Sequence, residues 1–133
     1  MGLFDIFRKL GGRYVSENGF QKNLAKQTAM SPQTLKELRE FEVTDETRLE
    51  LEFFFYTNTQ KKAVALSEAL KKLRYSIEVG PSPDNKREYL ITGWTKKMEM
   101  SENTLTEWTR RMCRLGFDLD CEFDGWATSP EQE

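Results

Sequence analysis

The sequence contains no histidine, and this absence excludes many functions. Histidine is the commonest metal ligand and the usual general base, because its unperturbed pKa lies near physiological pH. Without it, the chain cannot form a Ser-His or Cys-His nucleophile pair or a histidine-ligated zinc site. Most enzyme classes are therefore disfavoured, and we expect a protein with no catalytic and no metal-binding residues.

Cysteine is scarce, and long apolar runs are missing. Cys113 and Cys121 are too few for a disulfide framework. Both fall on apolar stripes, where a free cysteine is expected to fill the core rather than act as a nucleophile. The sequence shows neither a signal peptide nor a stretch of about 20 apolar residues. We expect a cytoplasmic protein without a cofactor.

The net charge of the 133 residues is only −2, which predicts no strong attraction to nucleic acid or to an anionic membrane. The charge is unevenly distributed along the chain, however. Residues 1–30 hold five basic and two acidic side chains, whereas residues 101–133 hold three basic and eight acidic ones. The C-terminal part is therefore expected to present an acidic surface.

The most apolar and most periodic stretch is Arg48 to Tyr56. Alternation predicts a strand with one buried face, formed by Leu49, Leu51, Phe53 and Phe55. The opposite face carries Glu50, Glu52, Phe54 and Tyr56. Two carboxylates followed by two aromatic rings suit neither a dry core nor an ordinary solvated surface, so this mixed face is the first functional clue.

The pattern that follows this strand predicts an α+β protein. Helices are expected near 60–74 and 102–115, capped by Thr59 and Ser101, and Gly116 is expected to end the second helix. Further strands are expected near 75–79, 87–95 and 117–123. The order from Arg48 is then βαββαβ, typical of a ferredoxin-like sandwich. We predict a four-stranded antiparallel sheet of order 4-1-3-2 with two helices on one face and the other face open.

Three regions are expected along the chain: an N-terminal helical extension (1–44), the ferredoxin-like domain (45–128) and a short polar tail (129–133). The extension begins with a short amphipathic helix that has Leu3, Phe4, Phe7 and Leu10 on one face. We expect this helix to pack on its own domain, although contact of residues 1–10 with a partner or with a membrane is an alternative. Residues 13–30 are expected to form a linker or a short helix, and a separate helix from about Pro32 to Glu40 should begin at an N-cap, Ser31.

In this arrangement acidic and aromatic side chains converge on the open face of the sheet. The candidate partner-binding residues are Glu50, Glu52, Phe54, Tyr56, Trp94, Asp118, Asp120 and Glu122. An acidic field with embedded aromatic rings is typical of a docking surface for a basic or arginine-rich protein. The alternative is that the N-terminal segment covers this face with its own basic residues, Arg8, Lys9, Arg13, Lys22 and Lys26. A dimer interface on this face is a further alternative.

RNA binding and small-ligand or acid–base chemistry are two other classes of function open to this fold. The fold is shared with RNA-recognition motifs, but Arg87 to Thr95 does not match the aromatic pattern that such a strand should carry, and carboxylates would repel phosphates. Direct nucleic-acid binding is therefore disfavoured. Carboxylate pairs such as Asp118/Asp120 or Asp120/Asp124 could serve a small ligand or acid–base chemistry. Such pairs are more typical of a solvated strand face.

Several segments together resemble the RraB-like family of ribonuclease E inhibitors. They are EFFFY (52–56), YLIT (89–92) leading to TKKM (95–98), and above all FDGWAT (123–128), which contains Phe123, Asp124, Gly125 and Trp126. The resemblance covers residues 45–128. It implies a non-catalytic bacterial regulator that binds the scaffold region of endoribonuclease E and alters RNA turnover. We expect Asp124-Gly125-Trp126 to form a strand-ending turn that brings Trp126 over the edge of the core, with Asp124 capping backbone amides.

Overall fold

A computed structural model of the chain describes residues 13–132, and its elements belong to the α+β class, as predicted. The elements in chain order are α1 (Glu17–Arg39), β1 (Arg48–Leu49), β2 (Glu52–Thr57), α2 (Gln60–Lys72), β3 (Ser76–Pro81), β4 (Tyr89–Trp94), β5 (Met98–Glu99), α3 (Glu102–Asp118) and β6 (Glu122–Ala127). The predicted helix caps are confirmed, because Thr59 accepts a hydrogen bond from the Lys62 amide and Ser101 accepts one from the Thr104 amide. The predicted amphipathic helix over residues 1–10 lies outside the described part of the chain.

The strands form two antiparallel sheets rather than the single sheet expected. The larger sheet has the order β3-β4-β2-β6, and β1 pairs only with β5. The predicted strand 48–56 is divided at Leu51. The Leu51 amide donates to the Thr95 hydroxyl, and the Leu51 carbonyl accepts from the Thr95 amide, both at 2.9 Å. Because one threonine satisfies both backbone groups of Leu51, the strand ladder is interrupted there and β1 joins a different sheet.

The predicted buried face is confirmed. Leu49, Leu51, Phe53 and Phe55 are each at most 3 % exposed. Phe55 packs against Phe123 of β6 with ring centroids 5.1 Å apart, and Trp108 of α3 meets the edge of Phe123 at 5.8 Å. Helix α2 buries Ala63, Leu66 and Leu70 in the same core. At ~1.5–3 kcal/mol for each large apolar side chain, this core supplies most of the favourable free energy of folding.

Helix α1 is one continuous helix. Of the two alternatives predicted for residues 13–30, the linker is wrong and the helix is present but longer than predicted, and the separate helix from Pro32 is wrong. Its N-cap is Ser16, whose hydroxyl accepts from the Gly19 amide at 2.9 Å, and Pro32 lies inside it. Ser31 is buried instead of capping. The buried stripe of α1 consists of Phe20, Gln27, Ser31, Leu35 and Leu38. Since two of these residues are polar, the hydrophobic period is broken in the sequence even though the helix is intact.

Helix α3 continues through Gly116 to Asp118, so the strand predicted near 117–123 begins only at Glu122 and runs to Ala127. The C-cap is Leu119, and Asp120, the next residue, has a φ of +59°. The Cys121 amide returns to the Gly116 carbonyl at 2.7 Å, and the Asp120 amide returns to the Phe117 carbonyl at 3.0 Å. This is a Schellman ending with aspartate in the position that usually holds glycine. Gly116 is needed for close packing, because a Cβ there would lie 2.7 Å from the Cys121 carbonyl oxygen.

Candidate acidic and aromatic sheet face

The sheet face turned away from Phe53 and Phe55 is called the open sheet face. Antiparallel pairing arranges its residues in three cross-strand rows. The rows are Glu122–Tyr56–Leu90–Gly80, Gly125–Phe54–Thr92–Glu78 and Ala127–Glu52–Trp94–Ser76. Helices α2 and α3 pack on the other side of the sheet, where the core lies, so these rows are on the opposite surface.

Aromatic and aliphatic side chains run through the middle of the open sheet face. Phe54, Tyr56 and Leu90 are half-buried, and Trp94 is 38 % exposed. Phe54 lies between Gly125 and Thr92, which are both small, so its ring is not covered by a large neighbour in its own row. Partly exposed rings with small neighbours are the kind of anchor on which interface energy concentrates.

Carboxylates surround these rings. Glu52 and Glu78 lie on the open sheet face, Glu122 begins its first row, and Asp124 lies at the β-bulge between Phe123 and Gly125. Burial, and after it the nearby Asp124 carboxylate, raises the pKa of Glu122 above its ordinary value. Partial desolvation likewise raises the pKa of Asp124, although the residue is exposed at the surface. Within the rows described here no side chain is basic, so the face is negative at neutral pH.

The first described residues reach the border of the open sheet face. Tyr14 donates its hydroxyl hydrogen to a carboxylate oxygen of Glu88, which directly precedes β4. Burial and the Glu88 carboxylate raise the pKa of the Tyr14 hydroxyl above its ordinary value. Helix α1 packs on α3 and along the edge of β6, where the Lys26 charge offsets part of the rise in the pKa of Glu122 and Asp124.

The alternative that the N-terminal segment covers the open sheet face stays a prediction, because residues 1–12 lie outside the described part of the chain. Arg13 lies 3.7 Å from Asp120, at the end of α3, and also stacks on Phe117 with 4.3 Å between its guanidinium carbon and the ring centroid. Of the five basic residues named for this role, Lys26 acts on the carboxylates of the face, where its charge opposes the rise in the pKa of Glu122 and Asp124. Arg8 and Lys9 lie outside the described residues.

Five of the eight predicted partner-binding residues share the open sheet face: Glu52, Phe54, Tyr56, Trp94 and Glu122. The other three do not. Glu50 is exposed in the connection between β1 and β2, where Gln132 and Thr128 hold its backbone. Asp118 is exposed at the end of α3, and Asp120 is buried behind it. Both aspartates are predicted on a strand, but Asp118 ends α3 and Asp120 lies in the turn that follows, so the proposed Asp118/Asp120 and Asp120/Asp124 carboxylate pairs do not share a strand face.

Asp120 has a structural role. It is 7 % exposed and accepts hydrogen bonds from the amides of Tyr14 and Val15 at 2.7 and 2.8 Å. The Lys62 ammonium lies 2.6 Å from Oδ2, the oxygen that also accepts from the Tyr14 amide. Burial alone would raise the pKa of Asp120, but Lys62 and the two amides outweigh burial and hold this pKa below its ordinary value. The carboxylate thus joins the N-terminal segment to α2 at the end of α3.

The segment Phe123 to Trp126 lies inside β6, so the predicted strand-ending turn is wrong. Gly125 has a φ of +115° next to the bulge, a conformation that favours glycine. Trp126 turns toward the helices and donates from Nε1 to the Ser31 hydroxyl at 3.0 Å, and this hydroxyl also contacts the Thr109 hydroxyl at 2.8 Å. The tryptophan therefore fastens α1 to the sheet. Asp124 is exposed rather than bonded to backbone amides in the way predicted.

Sequence reasoning missed Leu90, Thr92 and Glu78 as members of the open sheet face. Leu90 and Thr92 alternate with Ile91 and Gly93 inside a strand that was predicted, so the same alternation that selected Trp94 would have selected them. Glu78 could have been found in the same way from β3. The contribution of Asp124 to the charge of the face depends on the β-bulge, which no local sequence pattern indicates.

The remaining reactive side chains offer little chemistry. Burial raises the pKa of the Cys113 thiol to about 12 and that of the Cys121 thiol to about 11, so both are protonated and weakly nucleophilic at neutral pH. Residues 13–132 hold no group of three or more cysteine, aspartate or glutamate side chains arranged to bind a metal ion. In the same range, no helix is both long enough and apolar enough to span a bilayer.

Comparison with known protein families identifies the family of this chain. None of the curated proteins compared with the sequence matches it. The sequence model of the family described as RraB, regulator of ribonuclease activity B, matches residues 28–128, from the middle of α1 to the end of β6. The match covers well over half of the chain and includes both sheets and the Phe123–Trp126 segment. The chain therefore belongs to the RraB family, the regulators of ribonuclease activity.

Proposed function

We propose that this protein is a non-catalytic, cytoplasmic regulator that binds ribonuclease E through the open sheet face and thereby modulates RNA turnover. The observation that carries the proposal is the set of partly exposed rings, Phe54, Tyr56 and Trp94, inside a border of carboxylates. Membership of a family that regulates ribonuclease activity supports a protein partner. The specific partner follows from the resemblance described above.

The chemistry of the face selects a basic partner segment. Glu52, Glu78 and Glu122 would attract arginine or lysine side chains, and each arginine could also stack on an aromatic ring. The raised pKa of Glu122 adds to this preference, because a cation placed beside it would relieve the repulsion from Asp124. We propose that the segment belongs to the non-catalytic scaffold region of ribonuclease E.

The proposal also includes an architectural part. We propose that the four-stranded sheet with α2 and α3 is a ferredoxin-like unit, and that residues 45–128 form the partner-binding domain. Residues 1–44 would be a helical extension and 129–133 a polar tail. The hydrogen bonds from Trp126 to Ser31 and from Asn23 to the Phe123 carbonyl indicate how the extension supports β6.

A binding assay with paired aromatic variants tests the proposal. The purified full-length chain is titrated onto immobilised scaffold region of ribonuclease E. Phe54→Ala and Trp94→Ala should each weaken binding about tenfold or more, chiefly through faster dissociation, because each removes an aromatic anchor. Phe41→Ala is the matched control, since Phe41 is 65 % exposed and lies outside the face. Absence of binding by the unaltered chain, or equal loss in all three variants, would contradict the proposal.

The competing candidate is an interaction module of the same fold with another protein partner. It predicts that the unaltered chain does not bind ribonuclease E, and that the face variants abolish binding of a different protein captured by the unaltered chain. The two candidates are therefore separated by the same variants.

A further inference from the structure

A groove between α1 and α3 lies on the helical side of the molecule, away from the open sheet face. It is called the arginine groove and is lined by Phe20, Leu24, Arg110, Arg111, Arg114, Leu115 and Asp118. Three of its seven residues are arginines from a single turn and a half of α3. Nothing in the proposed function uses this groove.

The floor of the arginine groove is apolar and fixed in place. Phe20 is 2 % exposed and stacks on Phe117 with ring centroids 4.4 Å apart. Its other side is covered by Arg114, whose guanidinium carbon lies 4.7 Å from the ring centroid. Leu24 and Leu115 are half-buried and complete the floor. An incoming side chain would therefore meet aliphatic surface rather than a free aromatic face.

The border of the groove is positively charged. Arg110, Arg111 and Arg114 are exposed, and among residues 13–132 none of them forms an ion pair. Asp118 is the single acidic residue of the lining. The arginines therefore leave a net positive border around an apolar floor, which is the reverse of the charge on the open sheet face.

We propose that the arginine groove binds an acidic amphipathic helix of a protein partner. A groove between two helices fits a third helix, whose apolar positions would contact Leu24 and Leu115 while its carboxylates pair with the arginines. Arginine suits this role because its planar fork holds a carboxylate through two hydrogen bonds. The protein would then present two docking surfaces of opposite charge, each with its own partner chemistry.

Single-stranded RNA fits the groove less well. Sequence-tolerant RNA binding relies on bases that stack on exposed aromatic rings along a basic channel. The one ring in this groove already has both faces covered, by Phe117 and Arg114. Phosphates would pair with the arginines, but the aliphatic floor offers no free ring on which a base would stack. These observations favour a peptide over a nucleic acid.

Nuclear magnetic resonance titration of the ¹⁵N-labelled full-length chain tests the proposal. The probe is a synthetic amphipathic peptide of ~18 residues with leucines on one helical face and glutamates on the others. Its comparison probes are the same peptide with lysine in place of glutamate, and a uridine oligonucleotide of similar length. The acidic peptide should shift the amide resonances of Leu24 and Leu115, whereas the lysine peptide should leave them unchanged.

Charge-reversal variants complete the test. Arg110→Glu/Arg111→Glu should weaken binding of the acidic peptide about tenfold or more, and the milder Arg110→Gln/Arg111→Gln should weaken it less. Lys71→Glu/Lys72→Glu, at exposed sites on α2, makes the same change in net charge and should have no effect. The proposal is overturned if the peptide does not bind, if the shifts fall elsewhere, if the oligonucleotide binds the groove instead, or if the groove proves to join two copies of the chain.

The test of the arginine groove does not depend on the proposed function. Phe54→Ala and Glu52→Lys change the open sheet face only and should leave binding of the acidic peptide intact. Loss of ribonuclease E binding in those variants with intact peptide binding would separate the two surfaces. Intact ribonuclease E binding with no peptide binding would overturn only the proposal for the arginine groove.

Discussion

At the scale of single residues, Asp120 shows how one buried charge can hold several elements. Its carboxylate receives two backbone amides from the N-terminal segment and the ammonium of Lys62 from α2. Its own carbonyl accepts a hydrogen bond from the Thr57 hydroxyl at the end of β2. Removing one partner of a buried, hydrogen-bonded pair leaves the others unsatisfied, and this cost usually exceeds the net value of the pair itself.

We expect Asp120→Asn to lower the free energy of unfolding at pH 7 by about 2–4 kcal/mol, because Lys62 loses its counter-ion and one of the two amides loses its acceptor. Urea unfolding of the full-length chain measures this change. The control is Asp118→Asn, two residues away but exposed, which should change stability by less than about 0.5 kcal/mol. Equal effects of the two substitutions would show that Asp120 is not the connection described.

The same residue predicts an acid sensitivity. The pKa of Asp120 is lower in the folded chain than in the unfolded chain, so the ion pair contributes its full stability above the ordinary carboxyl pKa of about 4. This contribution is lost as pH falls through the folded pKa. Unfolding measured between pH 7 and pH 2 should therefore show a smaller decline for Asp120→Asn than for the unaltered chain.

Glu122 should behave in the opposite way, because its pKa is raised in the folded chain. A carboxyl with a raised folded pKa costs stability when it is ionised, and this cost vanishes once both folded and unfolded states are protonated. Glu122→Gln should therefore increase the free energy of unfolding at pH 7, and the gain should disappear below about pH 4. A loss of stability at pH 7 would contradict this account of the acidic face.

At the scale of elements, the three described helices end alike. Each is followed by a residue other than glycine with positive φ: Glu42 at 66°, Arg74 at 66° and Asp120 at 59°. Tyr75 and Arg74 return their amides to Leu70 and Lys71, as Cys121 and Asp120 do at the end of α3. This left-handed conformation costs an ordinary residue about 1 kcal/mol, which glycine avoids.

Arg74→Gly should consequently stabilise the protein by about 0.5 kcal/mol, since the relief of strain exceeds the added freedom of the unfolded chain. Thermal unfolding provides the measurement. Arg74→Ala is the matched control: it removes the same side chain but keeps a Cβ, so it should bring no gain. Equal stabilisation by both would attribute the effect to the arginine rather than to the backbone.

These helix endings also explain which parts of the fold could be predicted from sequence. The alternation from Leu49 to Phe55 and the caps Thr59 and Ser101 are local signals, and the structure follows them. The end of α3 carries no local signal, because the αL position holds aspartate instead of glycine. Phe117, Leu119 and Cys121 alternate by coincidence, and Asp118 and Asp120 were misassigned to the open sheet face as a result.

The site was predictable to the same extent. Glu52, Phe54, Tyr56 and Trp94 follow from strand alternation alone. The continuity of α1 could not be predicted in this way, because Gln27 and Ser31 on its buried side are polar. Ser31 bonds to Thr109 and Trp126, which lie far along the chain. The role of Trp126 in fastening α1 therefore appears only when the fold is assembled.

At the scale of the whole molecule, the net charge of −2 conceals two surfaces of opposite sign. The open sheet face is acidic and aromatic, and the arginine groove is basic with an aliphatic floor. Exposed charges are screened beyond ~8 Å at physiological ionic strength, so each surface acts on a partner nearly independently of the other. A small regulator with this arrangement can contact a basic and an acidic segment at the same time.

The most direct test of the central claim is the association rate between the full-length chain and the scaffold region of ribonuclease E, measured at low and at high salt. Glu52→Lys/Glu78→Lys reverses charge on the open sheet face, and Glu68→Lys/Glu107→Lys reverses the same amount at exposed sites on α2 and α3. The account predicts that the first variant associates about tenfold more slowly at low salt and loses most of its salt dependence, while the second retains most of both. Equal association rates for the two variants at low salt would contradict it.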